Sequence, residues 1–289
     1  MASKRYKSQR RLKPKQSLLK KILKNRIFWF GLVGILLTGG AAYGIFFTPF
    51  FQIERIEVSG NAKIPEESLR EIAQTHLARK FLLFELDHFL LANTSAAAEA
   101  MKAAFPEIES ADVQKEFPNS VLVKVRERQG VASWCQQRNY TVEVADGEET
   151  KRSVRQCFAL DTHGVIFEEK EPEGEMILSK SDGGAVSVGE EAIDSELLKY
   201  ILDFSQQLDA SALFGEVGLR VSSAVVVSKE RVNAEISEGW EIYLNPVENI
   251  DWQVTKVKLV LEKEIPSAKR PFLEYIDLRF GDQAYIKYR

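Results

Sequence analysis

Residues Ile27 to Phe47 run for 21 positions without an Asp, Glu, Lys or Arg, and that stretch constrains everything downstream of it. At 1.5 Å of rise per residue a helix of this length covers about 30 Å, the thickness of a bilayer's hydrocarbon core. Directly before it, Met1 to Arg26 carries eleven Lys or Arg and no acid. Positive flanking charge stays in the cytoplasm. The reading is therefore a cytoplasmic tail (1–26), a transmembrane helix in the lipid bilayer (27–47) and an extracytoplasmic remainder. A cleavable signal peptide is the rival, because Gly40-Ala41-Ala42 offers the small residues that a signal peptidase needs. The long basic tail, and the apolar residues that resume at Tyr43, Ile45, Phe46 and Phe47, favour an anchor.

The net charge of −3 conceals an asymmetry. Beyond the tail, 28 basic residues stand against 42 acidic ones, a balance of −14. Affinity for nucleic acid comes mainly from neutralising phosphates, so no nucleic-acid partner is expected. A basic tail beside a span serves topology and attraction to anionic lipid.

Two blocks follow the span. In the first (50–128), Phe51 to Val58 alternates apolar and polar residues, the period of a half-buried strand, and Ser59-Gly60-Asn61 breaks it. Pro65 with Glu66 and Glu67 reads as the first turn of a helix, where a missing N–H costs nothing and acids favour the dipole. Leu69, Ile72, Ala73 and Leu77 form its apolar face. Phe81 to Phe84 is an apolar connection, and an alanine-rich helix from about Ser95 stops before Pro106. Strands Ile108–Phe117 and Ser120–Arg126 turn about Pro118-Asn119. The order is β-α-α-β-β, which lets two helices cover one face of a three-stranded sheet.

The second block (129–289) is β-rich with two helices. Strand candidates include Val131–Trp134, Cys157–Leu160, Val165–Phe167, the meander Val221–Val227, Arg231–Ile236 and Trp240–Leu244, and a closing hairpin, Tyr275–Phe280 with Gln283–Tyr288. Helices are marked by Leu197, Leu198, Ile201, Phe204 and Leu208, and by Val254, Val257, Leu261 and Ile265. The charged stretch Asn139–Arg155 reads as an exposed loop or hairpin tip. The fold class is α+β.

Catalytic chemistry finds no footing. His76, His88 and His163 stand apart from any nucleophile motif, and no GxSxG, HExxH or GxxxxGK[ST] occurs. Glu148-Glu149, Glu168-Glu169 and Glu190-Glu191 are adjacent acids of the kind found on solvated loops, whereas catalysis needs convergence in a cleft. No catalytic residue, cofactor or metal site is expected. Cys135 and Cys157 both fall on the external side, where the compartment permits a disulfide. Both adjoin strand-like runs, which favours a bridge over two free thiols; closing a loop of about 20 residues is worth roughly 3 kcal/mol on the chain-entropy model.

The order of several strings resembles the bacterial cell-division family FtsQ, called DivIB in Gram-positive bacteria. They are Ile56-Glu57-Val58-Ser59-Gly60-Asn61, Phe105-Pro106-Glu107-Ile108, Phe117-Pro118-Asn119-Ser120-Val121, Val125-Arg126-Glu127-Arg128 with Val131-Ala132-Ser133-Trp134, Leu160 to Phe167, and Tyr275-Ile276-Asp277-Leu278-Arg279-Phe280. Gly130, the cysteine pair and the charged insertion between the cysteines depart from the family pattern. The resemblance implies a small POTRA domain at 50–128, a β-rich domain at 129–289, and a non-enzymatic scaffold of the division machinery at the septum. It implies FtsB- and FtsL-like partners, with other members of the divisome, and a main contact on the C-terminal strand. Arg279, Phe280, Tyr285 and Tyr288 are the partner-binding candidates there, because an edge strand can accept another strand and aromatic anchors dominate interfaces. Two other readings compete: a POTRA-bearing membrane protein that assists export or assembly of polypeptides, and an anchored wall enzyme. The first more commonly has tandem units or a barrel, and the second needs a catalytic set that this chain does not offer.

Overall fold

The computed structural model describes residues 25–47, 49–81, 84–86, 88–143, 149–210 and 219–289. The basic tail therefore lies outside the described residues, apart from its last two positions. Helix α1 (Arg26–Phe47) spans 22 residues, about 33 Å at helical rise. Its large apolar side chains, Ile27, Phe30, Ile35, Leu36 and Leu37 among them, are exposed. Taken over described side chains alone, no helix is long and apolar enough to cross a membrane. Over its whole backbone the helix carries one charge, Arg26 at its first position.

The next unit builds as its periodicities predict. β1 (Arg55–Ser59) leads to α2 (Glu66–Leu77), then to the short ribbon β2 (Arg79–Phe81) and β3 (Phe84–Leu86). α3 (Thr94–Ala104), β4 (Ile108–Glu116) and β5 (Ser120–Glu127) complete it. The sheet order is β1-β5-β4, with β1 parallel and β4 antiparallel to the central strand. Alternation in β5 places Val121, Val123 and Val125 on the buried side, where they meet Leu69, Ala73 and Leu77 of α2 and Ala97 and Met101 of α3 in one core. The Asn93 side chain caps α3 by accepting from the Ala96 N–H at 3.2 Å. The apolar connection of the sequence reading is thus a two-stranded ribbon, and Pro65 sits one position ahead of the helix, in extended backbone.

Gly60 shows why a glycine breaks the first strand. Its φ is +85°, and a Cβ there would lie 2.1 Å from the Val125 carbonyl oxygen.

The second unit is one nine-stranded sheet in the order β14-β13-β12-β11-β10-β9-β6-β7-β8. β6 (Ala132–Glu143) and β7 (Glu149–Leu160) form a long antiparallel hairpin, followed by β8 (Ile166–Glu169) and β9 (Ile177–Lys180). α4 (Ser195–Ala210) precedes the meander β10 (Val221–Ser228), β11 (Arg231–Ile236) and β12 (Glu241–Leu244). α5 (Ile250–Lys263) and a 3₁₀ turn (Ser267–Phe272) then cross over to β13 (Leu273–Phe280), parallel to β12, and β14 (Gln283–Tyr288) closes the chain antiparallel to β13. Leu198, Ile201, Phe204 and Leu208 of α4 and Val254, Val257 and Leu261 of α5 share a core with Trp134 and Trp240. Two readings need correction. The stretch 139–155, expected as a loop or a hairpin tip, is the outer part of a hairpin and longer than a tip, since register pairs run out to Glu143 and Glu149. β9, absent from the sequence reading, is the strand that joins β6 to β10.

Candidate functional site

The C-terminal edge carries the candidate residues. β13 and β14 pair antiparallel, and no described strand pairs with the far side of β14. Phe280, Tyr285 and Tyr288 are 52%, 51% and 39% exposed, which is unusual for three rings on adjacent strands. Phe280 and Tyr285 meet edge to face, with ring centroids 5.1 Å apart and planes at 83°. Tyr288 is separated from them. It lies three residues beyond Tyr285, so the two-residue period turns it to the side of Ala284 and Ile286, both of which pack on the core.

Arg279 is held rather than free. Its Nε and Nη2 donate to Oδ1 and Oδ2 of Asp277 at 2.9 and 2.6 Å, and Asp277 Oδ1 also accepts from the Arg279 backbone N–H at 3.1 Å. That side-chain hydrogen bond raises the Arg279 pKa above its ordinary value. The fork geometry fixes the guanidinium 5.7 Å from the Tyr243 ring and 5.6 Å from the Phe280 ring. Tyr243 stacks on Tyr275 with centroids 4.5 Å apart. Arg231 covers the Tyr243 ring, 4.6 Å from its centroid, and Lys287 lies 5.6 Å from the Tyr275 ring. Three neighbouring strands and the edge strand therefore offer a band of rings and cations.

Lys256, which the sequence reading passed over, anchors this hairpin from below. Only 4% exposed, its Nζ donates to the carbonyls of Leu278 and Gly281, both at 2.6 Å, with Glu248 3.7 Å away as counter-charge. Gln253, one turn earlier, donates to the Asn245 carbonyl at 2.8 Å and accepts from its N–H at 3.1 Å. The inner side of α5 thus holds the end of β12 and the β13–β14 turn through polar groups. The available signal was the i, i+3 placement of Gln253 and Lys256 beside Val254 and Val257, a polar stripe next to an apolar one.

The two units meet at another buried charge. Arg128 makes a close ion pair with Asp161, donates from Nε to the Pro106 carbonyl at 3.0 Å, and donates its backbone N–H to Glu107 at 2.7 Å. The other oxygen of Asp161 accepts from the N–H groups of His163 and Val165, both at 2.9 Å. Gly164, at φ +77°, lets this turn close against Ile193, whose carbonyl oxygen would lie 1.8 Å from a Cβ.

The cysteines stand directly opposite each other on β6 and β7, with Cα atoms 4.1 Å apart and sulfurs at bonding distance, 2.02 Å. A cleft of about 630 Å³ opens beside them, lined by Trp134, Gln136, Arg155, Lys180 and Glu235 among others. On its wall Ser223 donates from Oγ to Glu235 Oε2 at 2.8 Å, and no histidine is among the described residues that line the cleft. Among the described residues no cluster of His, Cys, Asp or Glu has the makings of a metal site. His88 is buried, its Nδ1 accepting from the Leu90 N–H at 3.2 Å, and His163 is an exposed neighbour of Asp161 and Glu109.

A family profile described as the FtsQ-type POTRA domain matches residues 51–128. A second, for the C-terminal region of the cell-division protein FtsQ/DivIB, matches 152–279. The chain belongs to the FtsQ/DivIB family of cell-division proteins. Two relatives named cell division protein FtsQ agree with this. The Streptomyces coelicolor protein is 27% identical over 112 residues, 39% of each chain. That of Streptomyces collinus is 26% identical over 94 residues, 32% of this chain and 33% of its own. The chain thus aligns with less than half the length of either. The FtsQ/DivIB profile ends at Arg279, so β14 lies beyond the matched range.

Proposed function

We propose that this FtsQ/DivIB-family chain is a non-enzymatic scaffold of the division septum that links early and late division proteins through its extracytoplasmic domains. In this reading α1 crosses the cell membrane once, with the basic tail in the cytoplasm. The length of the helix and its apolar, exposed surface support a span, because a helix apolar on all sides is stable only inside a core or a bilayer. The partners are FtsB- and FtsL-like division proteins, together with other members of the divisome.

One observation carries the proposal: among the described residues no strand pairs with the outer side of β14, which lies beside an exposed Phe280–Tyr285 pair. An extended segment adding to that edge gains main-chain hydrogen bonds, and its side chains gain the rings and the fixed Arg279 head. The test is to replace Phe280, Tyr285 and Tyr288 singly with alanine, then measure thermal unfolding and co-purification with FtsB and FtsL. Truncating a ring at a hot spot costs about 2–4 kcal/mol, roughly 30- to 1,000-fold in affinity. Phe280→Ala and Tyr285→Ala should show that loss, with Tyr288→Ala weaker because its ring takes the other side of the strand. Undiminished co-purification by three folded variants would refute the site.

A further inference from the structure

We infer that the membrane-proximal end of the POTRA unit is a lipid-seating surface, built by Phe50 and Phe117 with Leu90, that rests on the outer leaflet of the bilayer. The inference goes beyond the scaffold proposal and rests on its reading of α1 as a span. Phe117, in the β4–β5 turn, gathers three rings: Phe50 at 6.3 Å, Phe51 at 6.2 Å and Phe89 at 6.2 Å between centroids. Phe50 and Phe51 meet edge to face at 5.0 Å. Phe89 is buried and Phe51 half-buried, but Phe50, Leu90 and Phe117 are exposed. A patch of this kind on a small soluble domain calls for a partner, since isolated apolar residues are ordinary but joined exposed rings are not.

Chain connectivity identifies the occupant. α1 ends at Phe47 and the cluster begins at Phe50, so the connecting residues span at most about 11 Å even when fully extended. Rings held that close to the end of a span lie at the depth of the headgroups, where aromatic side chains are favoured. The polar groups beside the patch suit that setting. Lys115 Nζ, 6.0 Å from the Phe89 ring, donates to the Leu90 carbonyl at 3.2 Å and brings a positive charge to the rim. Two acids also stand by the patch: Glu54, which accepts from the Asn119 side chain at 3.0 Å, and the exposed Glu116 next to Phe117. A soluble protein partner would have to enter the narrow gap between this surface and the membrane; phospholipid is already there.

The test uses the full-length chain in vesicles of phosphatidylethanolamine and phosphatidylglycerol. A photoreactive p-benzoylphenylalanine replaces one of three residues of nearly equal exposure: Phe117 (72%), Phe30 within α1 (76%) or Val247 in the β domain (74%). After irradiation, lipid adducts are read by mass spectrometry of the peptides. The expected result is adducts at 30 and 117 and their loss at 247. Adducts at 30 alone overturn the seating while leaving the span intact. Adducts at 117 without 30 overturn the span reading but keep the surface on lipid, and none at either site overturns both. Adducts at all three overturn a specific seating, because the β domain would then touch lipid as well.

Discussion

The two ends of the nine-stranded sheet are finished in opposite ways. At the β8 end the edge is four residues long and covered. The Ile166 N–H donates to the Glu190 carbonyl at 3.1 Å, and Gly189 donates back to Ile166 at 2.7 Å. From the POTRA side Lys63 reaches Glu168 at 3.0 Å. At the β14 end the strand is six residues long, its outer side has no described partner, and rings stand exposed beside it. Open edges invite unwanted pairing, and one end of this sheet shows the usual protections of shortness, charge and cover. The other end has no such cover among the described residues, and this difference is what supports reading β14 as a docking edge rather than as the place where the sheet happens to stop.

Each end also has its own buried charge, so each can be loosened separately. The larger effect is expected at the covered end. Arg128→Ala leaves Asp161 buried without its cation; losing one partner of a buried pair costs about 3–5 kcal/mol, and the partial exposure of Arg128 points to the lower figure, about 3 kcal/mol. Denaturant unfolding should show that loss, while amide exchange in β13–β14 stays unchanged, since every contact of Arg128 described above lies at the junction. If exchange at β14 rose to the same extent, the two ends would be mechanically one, and the comparison would fail.

A smaller loss is expected from Lys256→Met at the open end. Methionine keeps the volume but leaves the buried Leu278 carbonyl without this donor, at about 1–3 kcal/mol, while the Gly281 carbonyl in its exposed turn can take water instead. Removing a buried ammonium also removes its own desolvation cost, so the net loss should fall in the lower half of that range. Its signature is local: exchange protection falls from Phe280 to Tyr288 and stays at β8, and affinity at the edge falls with it. Unchanged protection of the hairpin would show that Lys256 does not hold the edge in place.

Much of this architecture was legible in the sequence, and the exceptions have physical causes. Strict alternation in β5 and a compact turn at Gly281-Asp282 made the POTRA sheet and the closing hairpin readable, because each strand has one buried side. The full length of the β6–β7 hairpin was hidden in its second arm: Tyr140, Val142 and Val144 alternate with polar residues, but 145–155 is rich in charge and has Val154 as its one large apolar residue. β9 is only four residues long, too short for periodicity to register. Lys256 was missed because a helical lysine is ordinarily solvated; only its backbone carbonyl partners, far along the chain, explain its burial. The sequence reading grouped Tyr288 with Phe280 and Tyr285, although the odd spacing from Tyr285 already places it on the other side of β14.

The smallest expected effect concerns what keeps the covered end covered. Glu127, at the end of β5, accepts from the backbone N–H groups of Ala62 at 2.7 Å, Lys63 at 3.0 Å and Ile64 at 3.1 Å. Burial by itself raises this carboxyl's pKa, but the three amides outweigh it and hold the group below its ordinary 4.5. A depressed acid contributes stability that is fully present above 4.5 and is lost as pH falls through the lower, folded-state value. Because Glu127 clamps the loop that carries Lys63, its protonation should release the Lys63–Glu168 bridge and thin the cover over β8, whereas β14 carries a separate bridge, Lys287–Glu274, that Glu127 does not touch. An exposed bridge of this kind contributes at most about 1 kcal/mol, so global unfolding is a poor readout. NMR resonances of the 62–64 amides are the better one. They should shift together with a midpoint below 4.5, and Glu127→Gln should abolish that titration while leaving the acid response of the β14 amides, which stand beside Glu274 and Asp277, as it was. A midpoint at or above 4.5 would mean that the amides do not hold the carboxylate, and the cover over β8 would then have to rest on the 189–192 loop alone.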